Sequence, residues 1–304
     1  MTTHMSGPLI VAGGVYPPAG LDTGGGKHWF CDPDGSDYSG EDWETAYASA
    51  QDAVDRAAAI DTIHLAPGDY TEALTIPVDK SNLTLIGAGR RGSVYISVAG
   101  EVTVLTNNAN GTRLINITLE GDETAGSLGL LNRGRGLRYI TGRILNVTTC
   151  AKFTMGTPTE VTAGTYGDGS DTLCEDVEFS WATDGVDLVG VTDLVDVGDF
   201  PVTQNYFRRC TFHNLSNSSF KETPLGGAAQ SFRDLEVSDC IFKRVEGGTE
   251  PTYYMKLDGS NSNSGIVTRC SFPTALAGVK NLVSTSLIWV SNYHTGGIST
   301  TVPS

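Results

Sequence analysis

Hydrophobic and polar residues alternate along much of the chain with the two-residue period that is typical of β-strands. Between residues 94 and 272, short alternating segments are separated by turn residues. In one segment, Asn116 and Thr118 face one side of the predicted strand, and Ile115, Ile117 and Leu119 face the other. Some eight to ten coils of roughly 20 to 30 residues would fit this length. The interruptions at 154–171 and 216–231 are predicted to be loops that project from the coils.

A Cys-x-Phe pair recurs in the second half of the chain at a fixed interval of thirty positions. The pairs are Cys210 with Phe212, Cys240 with Phe242 and Cys270 with Phe272, and Cys174 with Phe179 is a looser earlier copy. Residues two apart in a strand face the same way, so stacked coils place Cys over Cys and Phe over Phe about 4.8 Å apart. Self-similarity at such a period predicts a parallel β-solenoid.

The cysteines of this repeat are predicted to be buried and reduced. They occur singly, one per coil, whereas a structural zinc site uses paired Cys-x-x-Cys ligands. Free Cys behaves as a small hydrophobic residue in a core, which explains a regular ladder better than disulfides do. We therefore expect a column of thiols inside the solenoid.

One stretch near the N terminus has the helical period instead. Its apolar residues recur three and four positions apart, and Asp42 precedes them as a candidate N-cap. These residues are Trp43, Ala46, Tyr47, Ala50, Val54 and Ala57, and the pattern continues through Ala59. The stretch predicts an amphipathic helix that covers the first coil, because an uncovered solenoid end exposes unpaired strand edges and apolar core.

The chain divides into three predicted regions. Residues 1–27 form an extended arm, residues 28–60 a strand plus the capping helix, and residues 61–304 the parallel β-helix with its end cap. The arm contains several Pro and Gly residues and cannot build a core of its own. It is either a flexible terminus or a docking strand that becomes ordered on a partner.

The charge of the chain limits its partners. The chain has 35 acidic and 20 basic residues, which gives a formal net charge of -15. Binding to a phosphate backbone requires a Lys/Arg-rich surface, so nucleic acid is not expected as a partner. No stretch approaches the roughly 20 apolar residues that span a bilayer, and the start lacks the regions of a signal peptide. We expect synthesis in a reducing cytoplasm and no membrane partner.

Residues 28–90 carry a specific succession of motifs. It runs from Trp29-Phe30-Cys31-Asp32-Pro33 through Thr62-Ile63-His64-Leu65-Ala66-Pro67 to Leu83-Thr84-Leu85-Ile86-Gly87. This order resembles the opening of the pectin-lyase-like right-handed parallel β-helices, which include pectin methylesterases, polysaccharide lyases and bacteriophage tailspikes and capsid decoration proteins. The resemblance implies an all-β fold, a single-stranded right-handed parallel β-helix (solenoid) with an N-terminal capping α-helix. It leaves the activity open, because one scaffold hosts unrelated functions.

The motifs that would support an enzyme of this kind are incomplete. Gly68-Asp69-Tyr70-Thr71-Glu72 matches the Gly-x-Tyr-x-Glu element of the esterases, but that element serves the first coil. The Gln-Asp-Thr and Asp-Phe-x-x-Gly segments of the esterases are missing, and so is the calcium-binding Asp cluster of the lyases. A segment that starts at Asp32 also fails the EF-hand pattern, because its sixth and twelfth positions hold Asp37 and Trp43. We therefore predict no metal and no other cofactor.

One acidic constellation remains as a candidate site for a glycan-cleaving enzyme. It comprises Glu175, Asp176, Glu178, Asp184, Asp187, Asp193, Asp196 and Asp199. Glu178, Asp184 and Asp187 are the catalytic candidates, because a glycoside hydrolase needs two carboxyl groups roughly 5 to 9.5 Å apart. The competing interpretation is a set of solvated surface charges. Five aromatic residues would either form a sugar platform or pack the strands and the end cap: Trp181, Tyr206, Tyr253, Tyr254 and Trp289.

Several Asn-x-Ser/Thr sequences match glycosylation acceptors, among them four that begin at Asn82, Asn116, Asn146 and Asn214. We interpret them as solvent-facing residue pairs in strands, without sugar.

The sequence favours a viral structural protein without catalysis, a capsid decoration or tail protein of a bacteriophage virion. Such a protein is expected to form a homotrimer and to attach to capsid or tail proteins through its arm, with surface glycans as an optional partner. The first alternative is a polysaccharide-degrading depolymerase of the tailspike type, either a glycoside hydrolase or a lyase. The second alternative is a carbohydrate-binding module without turnover.

Overall fold

The computed structural model is a parallel β-helix, in which successive coils add strands to the same parallel sheets. The structure describes residues 10–11, 14–15, 26–157, 159–160, 167–192, 199–225, 228, 230–244, 246–247, 251–257, 263–273, 281–283, 287–294 and 297–299. The predicted fold class, an all-β right-handed parallel β-helix with a capping helix, is confirmed. The predicted arm, residues 1–27, lies mostly outside the described residues, apart from an antiparallel pair of Ile10–Val11 with Gly14–Val15.

Three faces run along the solenoid, and strands of successive coils pair within each face. The described strands of face 1 are His28–Cys31, Thr62–Leu65, Thr84–Gly87, Arg113–Ile115, Arg138–Ile140, Leu173–Glu175, Tyr206–Arg208, Leu235–Ser238, Gly265–Thr268 and Leu287–Val290. Face 2 contains Gly68–Thr71, Val94–Ser97, Thr118–Glu120, Ile241–Phe242 and the first parts of three long strands, Arg143–Thr154, Glu178–Thr192 and Thr211–Leu225. Face 3 contains Leu74–Ile76, Thr103–Asn107, Leu128–Asn132, Tyr253–Leu257, Asn281–Val283 and the later parts of the long strands.

Three minor pairs of strands lie outside these faces. Asp199–Phe200 pairs antiparallel with the end of Glu178–Thr192, Val202–Thr203 pairs parallel with Phe232–Arg233, and Asn292–His294 pairs antiparallel with Gly297–Ser299.

The core is one continuous column of apolar side chains. On face 1 a single register row supplies Trp29, Ile63, Leu85, Leu114, Tyr139, Cys174, Phe207, Val237, Val267 and Trp289, and each of them is at most 3% exposed. Because each coil buries its inward side against the coils next to it, the described coils share one core.

The corners between faces depend on residues in the left-handed backbone region. Between faces 1 and 2 these residues are Asn116, Thr141, Asp176, Arg209, Asp239, Arg269 and Ser291. The four glycosylation-like sequences also begin at such positions, with φ between 53° and 60° for Asn82, Asn116, Asn146 and Asn214. Asparagine tolerates this conformation because its short polar side chain bonds locally. Asn146 and Asn214 lie within long strands, as predicted, whereas Asn82 and Asn116 lie just before the strands Thr84–Gly87 and Thr118–Glu120.

The predicted phenylalanine ladder is confirmed. Phe179 stacks on Phe212 with ring centroids 4.9 Å apart, and the two planes differ by 4°. Phe212 stacks in turn on Phe242 at 5.0 Å. Phe242 stacks on Phe272 at 4.5 Å, and Trp289 continues the column at 5.5 Å. The repeat seen in the sequence is therefore a column of parallel rings in the core.

The predicted thiol ladder is confirmed for three of its four members. Cys210, Cys240 and Cys270 are fully buried and form no disulfide. Each thiol donates a hydrogen bond to a backbone carbonyl of the preceding coil. The acceptors are the carbonyl oxygens of Cys174, Phe207 and Val237, at 3.3, 3.4 and 3.5 Å. Cys174 itself belongs to the inward row of face 1, and Val177 takes the ladder position in its coil.

The ladder thiols are expected to react slowly with a colorimetric disulfide reagent in the native protein. Burial raises the pKa of Cys240 well above its usual range, which removes the thiolate that attacks the reagent. Absorbance should therefore rise slowly in buffer and report all six cysteines only after unfolding in urea. Rapid native labelling of Cys210, Cys240 and Cys270 would contradict the inward ladder.

The capping helix is present but shorter than predicted. It spans Ala50–Arg56, and Ser49 rather than Asp42 is its N-cap. The upstream residues do not join the helix because Tyr47 is paired with the first strand, where its N–H donates to the Phe30 carbonyl at 2.9 Å. The helix buries its apolar side against the first coil, as predicted. No helix among the described residues is long and apolar enough to cross a membrane.

The esterase-like element holds this helix in place. The Glu72 carboxylate accepts hydrogen bonds from the Ser49 hydroxyl at 2.8 Å and from the Ala50 N–H at 2.6 Å. The Tyr70 hydroxyl donates to the Cys31 carbonyl at 2.9 Å. Glu72 therefore places a negative charge on the N-terminal N–H groups of the helix. The prediction that this element serves the first coil is confirmed.

Candidate active site

Three neighbouring long strands carry the candidate residues. They are Arg143–Thr154, Glu178–Thr192 and Thr211–Leu225. Each strand turns from face 2 to face 3 through a left-handed residue, namely Asn146, Trp181 or Asn214. The prediction of a loop at 216–231 is wrong for residues 216–225, because this polar stretch pairs in register with the strand of the preceding coil. In the other predicted loop, 154–171, residues 158 and 161–166 lie outside the described ones.

The three predicted catalytic carboxylates fall into two groups. Glu178 comes before the Trp181 corner, on face 2. Asp184 and Asp187 come after it, on face 3, where a register shift separates residues 182 and 184. The structure therefore brings the two aspartates together and leaves Glu178 with other partners.

Glu178 is the centre of an ion-pair network. Its Oε1 accepts hydrogen bonds from Arg143 Nη2 and from His213 Nε2, both at 3.0 Å. Asn214 settles the tautomer of the histidine: its Oδ1 accepts from the Glu246 N–H at 2.5 Å, so its amide nitrogen faces His213 Nδ1 at 3.2 Å. His213 therefore carries its proton on Nε2 when neutral and donates it to Glu178.

This network keeps Glu178 ionised. The hydrogen bond from His213 and the nearby Arg143 guanidinium lower the pKa of Glu178 to about 2. A carboxyl group with so low a pKa holds no proton at neutral pH and cannot act as a general acid. We interpret Glu178 as a structural link between the coils rather than as a catalytic residue.

Asp184 is a carboxylate with three hydrogen-bond donors. Its Oδ1 accepts from Asn217 Nδ2 at 2.8 Å and from Ser218 Oγ at 2.6 Å. Its Oδ2 accepts from Lys221 Nζ at 2.7 Å. Asp184 is only 5% exposed, and these three bonds hold its carboxyl group in place beside Lys221.

Asp187 lies one residue away from core positions on either side. Its neighbours Val186 and Leu188 are buried in the core, so Asp187 faces away from it. Its Oδ1 accepts a hydrogen bond from Thr223 Oγ1 at 2.8 Å, and its Oδ2 lies 3.8 Å from Lys221 Nζ. Burial raises the pKa of Asp187, and Lys221 and Thr223 offset only part of that effect.

The two aspartates therefore share one ammonium group but differ in their surroundings. Asp184 is surrounded by donors, while burial favours the protonated form of Asp187. Two carboxyl groups on one ammonium group, one of them with a raised pKa, are suited to the roles of general acid and general base. The pair can give a proton to one oxygen and withdraw another from a water molecule.

A row of lysines crosses the same face and was missed in the sequence. Lys152, Asp187, Lys221 and Lys256 are register partners in successive coils. The lysines of this row are half-buried or exposed, and Lys256 lies over the Tyr253 ring at 5.5 Å from its centroid. The signal in the sequence is the interval of 34 or 35 residues between successive members of this row, Asp187 included, which shows only when the coils are aligned.

The five aromatic residues of the predicted sugar platform lie in different parts of the structure. Tyr254 and Trp289 are buried in the core and pack the strands. Tyr206 lies on face 1, where the Arg208 guanidinium sits 5.2 Å from its ring centroid. Trp181 is 41% exposed and lies between the two groups of charged residues. Of the five, only Trp181 and Tyr253 lie near the aspartates. Trp181 is in the same strand, and Tyr253 is the register partner of Ser218, which is itself the register partner of Asp184.

No protein-family model matches the chain, and no curated protein matches it either. Among solved structures, pectate lyase Pel9A superimposes with a TM-score of 0.59 at 12% identity, over 94% of this chain and 80% of the lyase. A rhamnogalacturonan lyase gives 0.56 at 13% identity, over 81% and 68% of the two chains. Pectin methylesterase from carrot gives 0.56 at 12% identity, over 93% and 87%. The chain has the pectin-lyase-like β-helix fold.

The pectin-lyase-like fold agrees with the resemblance stated for residues 28–90. The expectation of a protein without catalysis is corrected by these neighbours, which are named as lyases and an esterase. None of the three is a virion protein, so the bacteriophage assignment stays a prediction. At such low identity the likeness shows the fold, and the chemistry has to be argued from the residues of this chain.

Proposed function

We propose that the protein is a polysaccharide depolymerase that hydrolyses glycosidic bonds on the outer surface of face 3. The observation that carries the proposal is the pair Asp184 and Asp187, two carboxyl groups bound to one lysine, of which burial raises the pKa of Asp187. The pectin-lyase-like fold supports it, since solved structures with this fold include enzymes named for pectate and rhamnogalacturonan.

Asp187 is assigned as the general acid. Burial favours its protonated form, which gives a proton to the glycosidic oxygen as the bond from that oxygen to the anomeric carbon breaks. Asp184 is assigned as the partner carboxylate, which either activates the attacking water or attacks the anomeric carbon itself. Water supplies the hydroxyl of the new reducing end. Its proton passes directly to Asp187 when Asp184 is the nucleophile, and to Asp184 and then through solvent to Asp187 when Asp184 is the base. Lys221 holds both carboxyl groups in place.

The row of lysines favours an anionic polysaccharide as the substrate. Lys152 and Lys256 flank the Asp187–Lys221 position in neighbouring coils, on a chain whose net charge is -15. Ammonium groups repeated along a solenoid match carboxylates repeated along a polyuronate. Attraction of this kind is screened by salt, with a Debye length of about 10 Å at 0.1 M.

The test is a depolymerisation assay on polygalacturonate and alginate. We expect new reducing ends, shorter chains, no unsaturated product and a KM that rises with ionic strength. A neutral glucan serves as the comparison and should be cleaved more slowly, with little dependence on salt. An ultraviolet-absorbing unsaturated product would show elimination and contradict the hydrolytic roles, and stable chain length on all of these substrates would contradict the proposed function.

The homotrimer, the attachment of the arm to capsid or tail proteins and the location on a virion stay predictions, because no described contact bears on them.

A further inference from the structure

Trp181 occupies a backbone position that is unfavourable for tryptophan. Its φ is 51°, in the left-handed region, and the same corner is formed by Asn146 in the preceding long strand and by Asn214 in the following one. Asparagine is a residue that tolerates this region, whereas a bulky aromatic side chain is strained there. Such strain persists at sites where a side chain has a task other than folding.

The indole does not contribute to the core. Trp181 is 41% exposed, whereas Trp29 and Trp289 are only 3% and 2% exposed. Burial of the ring therefore does not explain why the chain carries a strained tryptophan at this corner. A large exposed aromatic ring held by a rigid strand is typical of a binding surface.

The ring forms one wall of an open cavity of about 250 Å³ at the corner between faces 2 and 3. Ala182 lines the cavity and is smaller than its register partners Val147 and Leu215, which leaves room beside the indole. The cavity also presents the Glu123 carboxylate and the hydroxyls of Thr183 and Ser216. An apolar wall with a few polar groups around it is the usual composition of a small-ligand site.

We propose that this cavity binds one pyranose ring of a glycan, with the sugar stacked on the indole of Trp181. One side of a pyranose ring presents C–H groups, which suit the negative face of an aromatic ring. The edge of the sugar presents hydroxyls, which suit Glu123, Thr183 and Ser216. A cavity smaller than the roughly 300 Å³ at the low end for drug-sized ligands fits a single ring.

The cavity lies close to Asp184 along the same strand. Trp181 precedes Asp184 by three residues in one strand, which is a path of at most about 10 Å along the backbone. A glycan held on Trp181 would extend a neighbouring unit toward the acid pair. This link rests on the proposed function, whereas binding in the cavity does not.

Tryptophan fluorescence provides the test, with oligosaccharides of galacturonate, of alginate and of rhamnogalacturonan as the probes. Trp29 and Trp289 are buried but Trp43 is partly exposed, so the experiment uses a Trp43→Phe background, in which quenching by acrylamide reports mainly on Trp181. We expect at least one probe to protect the fluorescence from quenching in a saturable way. Failure of all three probes to protect it would overturn the proposal.

Two variants distinguish stacking from a general effect on the fold. Trp181→Phe keeps an aromatic ring and should retain binding, whereas Trp181→Asn should weaken it by about tenfold or more, measured by calorimetry. Because asparagine suits the left-handed corner, Trp181→Asn should also unfold at a higher temperature than the wild type. Unchanged affinity in Trp181→Asn would overturn the proposal, and so would affinity lost equally in both variants.

The experiments distinguish a failure of the depolymerase proposal from a failure of the proposed sugar-binding cavity. Asp187→Asn should bind the protecting oligosaccharide as the wild type does, since the cavity is intact. Protection without cleavage by the wild type would contradict the depolymerase and support the cavity. Cleavage that is unaffected in rate and KM by Trp181→Asn, without protection of the fluorescence, would contradict the cavity and leave the depolymerase standing.

Discussion

Replacing Asp187 by asparagine is expected to lower kcat for glycan cleavage by about 10²- to 10⁴-fold, the usual contribution of general acid–base catalysis. The amide has nearly the same shape and can still accept the hydrogen bond from Thr223, but it has no acidic proton to give to the leaving oxygen. KM should change little, because Lys152 and Lys221 remain to bind the substrate. Initial rates of reducing-end formation over a range of substrate concentrations separate the two constants.

The pH profile identifies the role of Asp187 more directly. A general acid works only while protonated, so kcat of the wild type should fall as the pH rises through the raised pKa of Asp187. In Asp187→Asn this limb of the profile should disappear. The matched control is Asp239→Asn, which removes an exposed carboxylate that pairs with Arg269 at a corner, and should leave rate and profile unchanged. If Asp187→Asn had the wild-type kcat, or if its kcat still fell at high pH, Asp187 would not be the general acid.

Replacing Phe212 by alanine is expected to destabilise the solenoid by about 3 to 5 kcal/mol, the range measured for large aromatic residues in cores. Phe212 is fully buried, stacks between Phe179 and Phe242, and also lies 4.8 Å from Phe220 between ring centroids. Its removal leaves a cavity that neighbouring coils cannot close, because their spacing is fixed by the backbone hydrogen bonds of the sheets. The measurement is urea unfolding followed by circular dichroism.

The control for this variant lies in the next coil. Ile241 is 45% exposed, although it precedes the buried Phe242 directly, so Ile241→Ala should change the free energy of unfolding by only about 0.5 kcal/mol. Phe212→Leu should fall between the two, since it keeps part of the buried volume. Equal losses for Phe212→Ala and Ile241→Ala would show that the column of rings does not set the stability of this region.

The repeated part of the fold was predictable because it depends on spacing alone. The Cys-x-Phe interval gave the order of the phenylalanine column correctly, from Phe179 to Phe272, since every coil in this region has nearly the same length. Cys174 does not belong to the thiol ladder because its partner Phe179 is five positions away instead of two. That longer step crosses the corner at Asp176 and moves the cysteine to another face.

The start of the capping helix was not predictable from its period. Residues 43–48 have the apolar spacing of a helix, but Tyr47 exchanges backbone hydrogen bonds with the strand His28–Cys31. Pairing with a distant segment outweighs local helix propensity, which is a weak preference. No pattern within residues 43–48 shows that Tyr47 pairs with the strand His28–Cys31.

The candidate site was predictable in its residue types but not in its grouping. Glu178, Asp184 and Asp187 stand close together in the sequence, yet the corner at Trp181 puts the glutamate on a different face from the aspartates. The partner that joins the aspartates, Lys221, comes from the next coil. Its position depends on the register between strands, which a single sequence does not display.

The asparagine corners make the chain sensitive to the cell in which it is produced. The side-chain amide of Asn116 donates to the Gly87 carbonyl at 2.9 Å, and that of Asn146 to Glu120 Oε1 at 2.7 Å. These amides belong to Asn-x-Thr sequences, so a secretory pathway that attaches N-linked sugars would modify the nitrogen atoms that join one coil to the next. A sugar added to the nascent chain would place a bulky group between coils before they stack. We therefore expect a lower yield of folded protein from a host that attaches N-linked sugars than from one that does not.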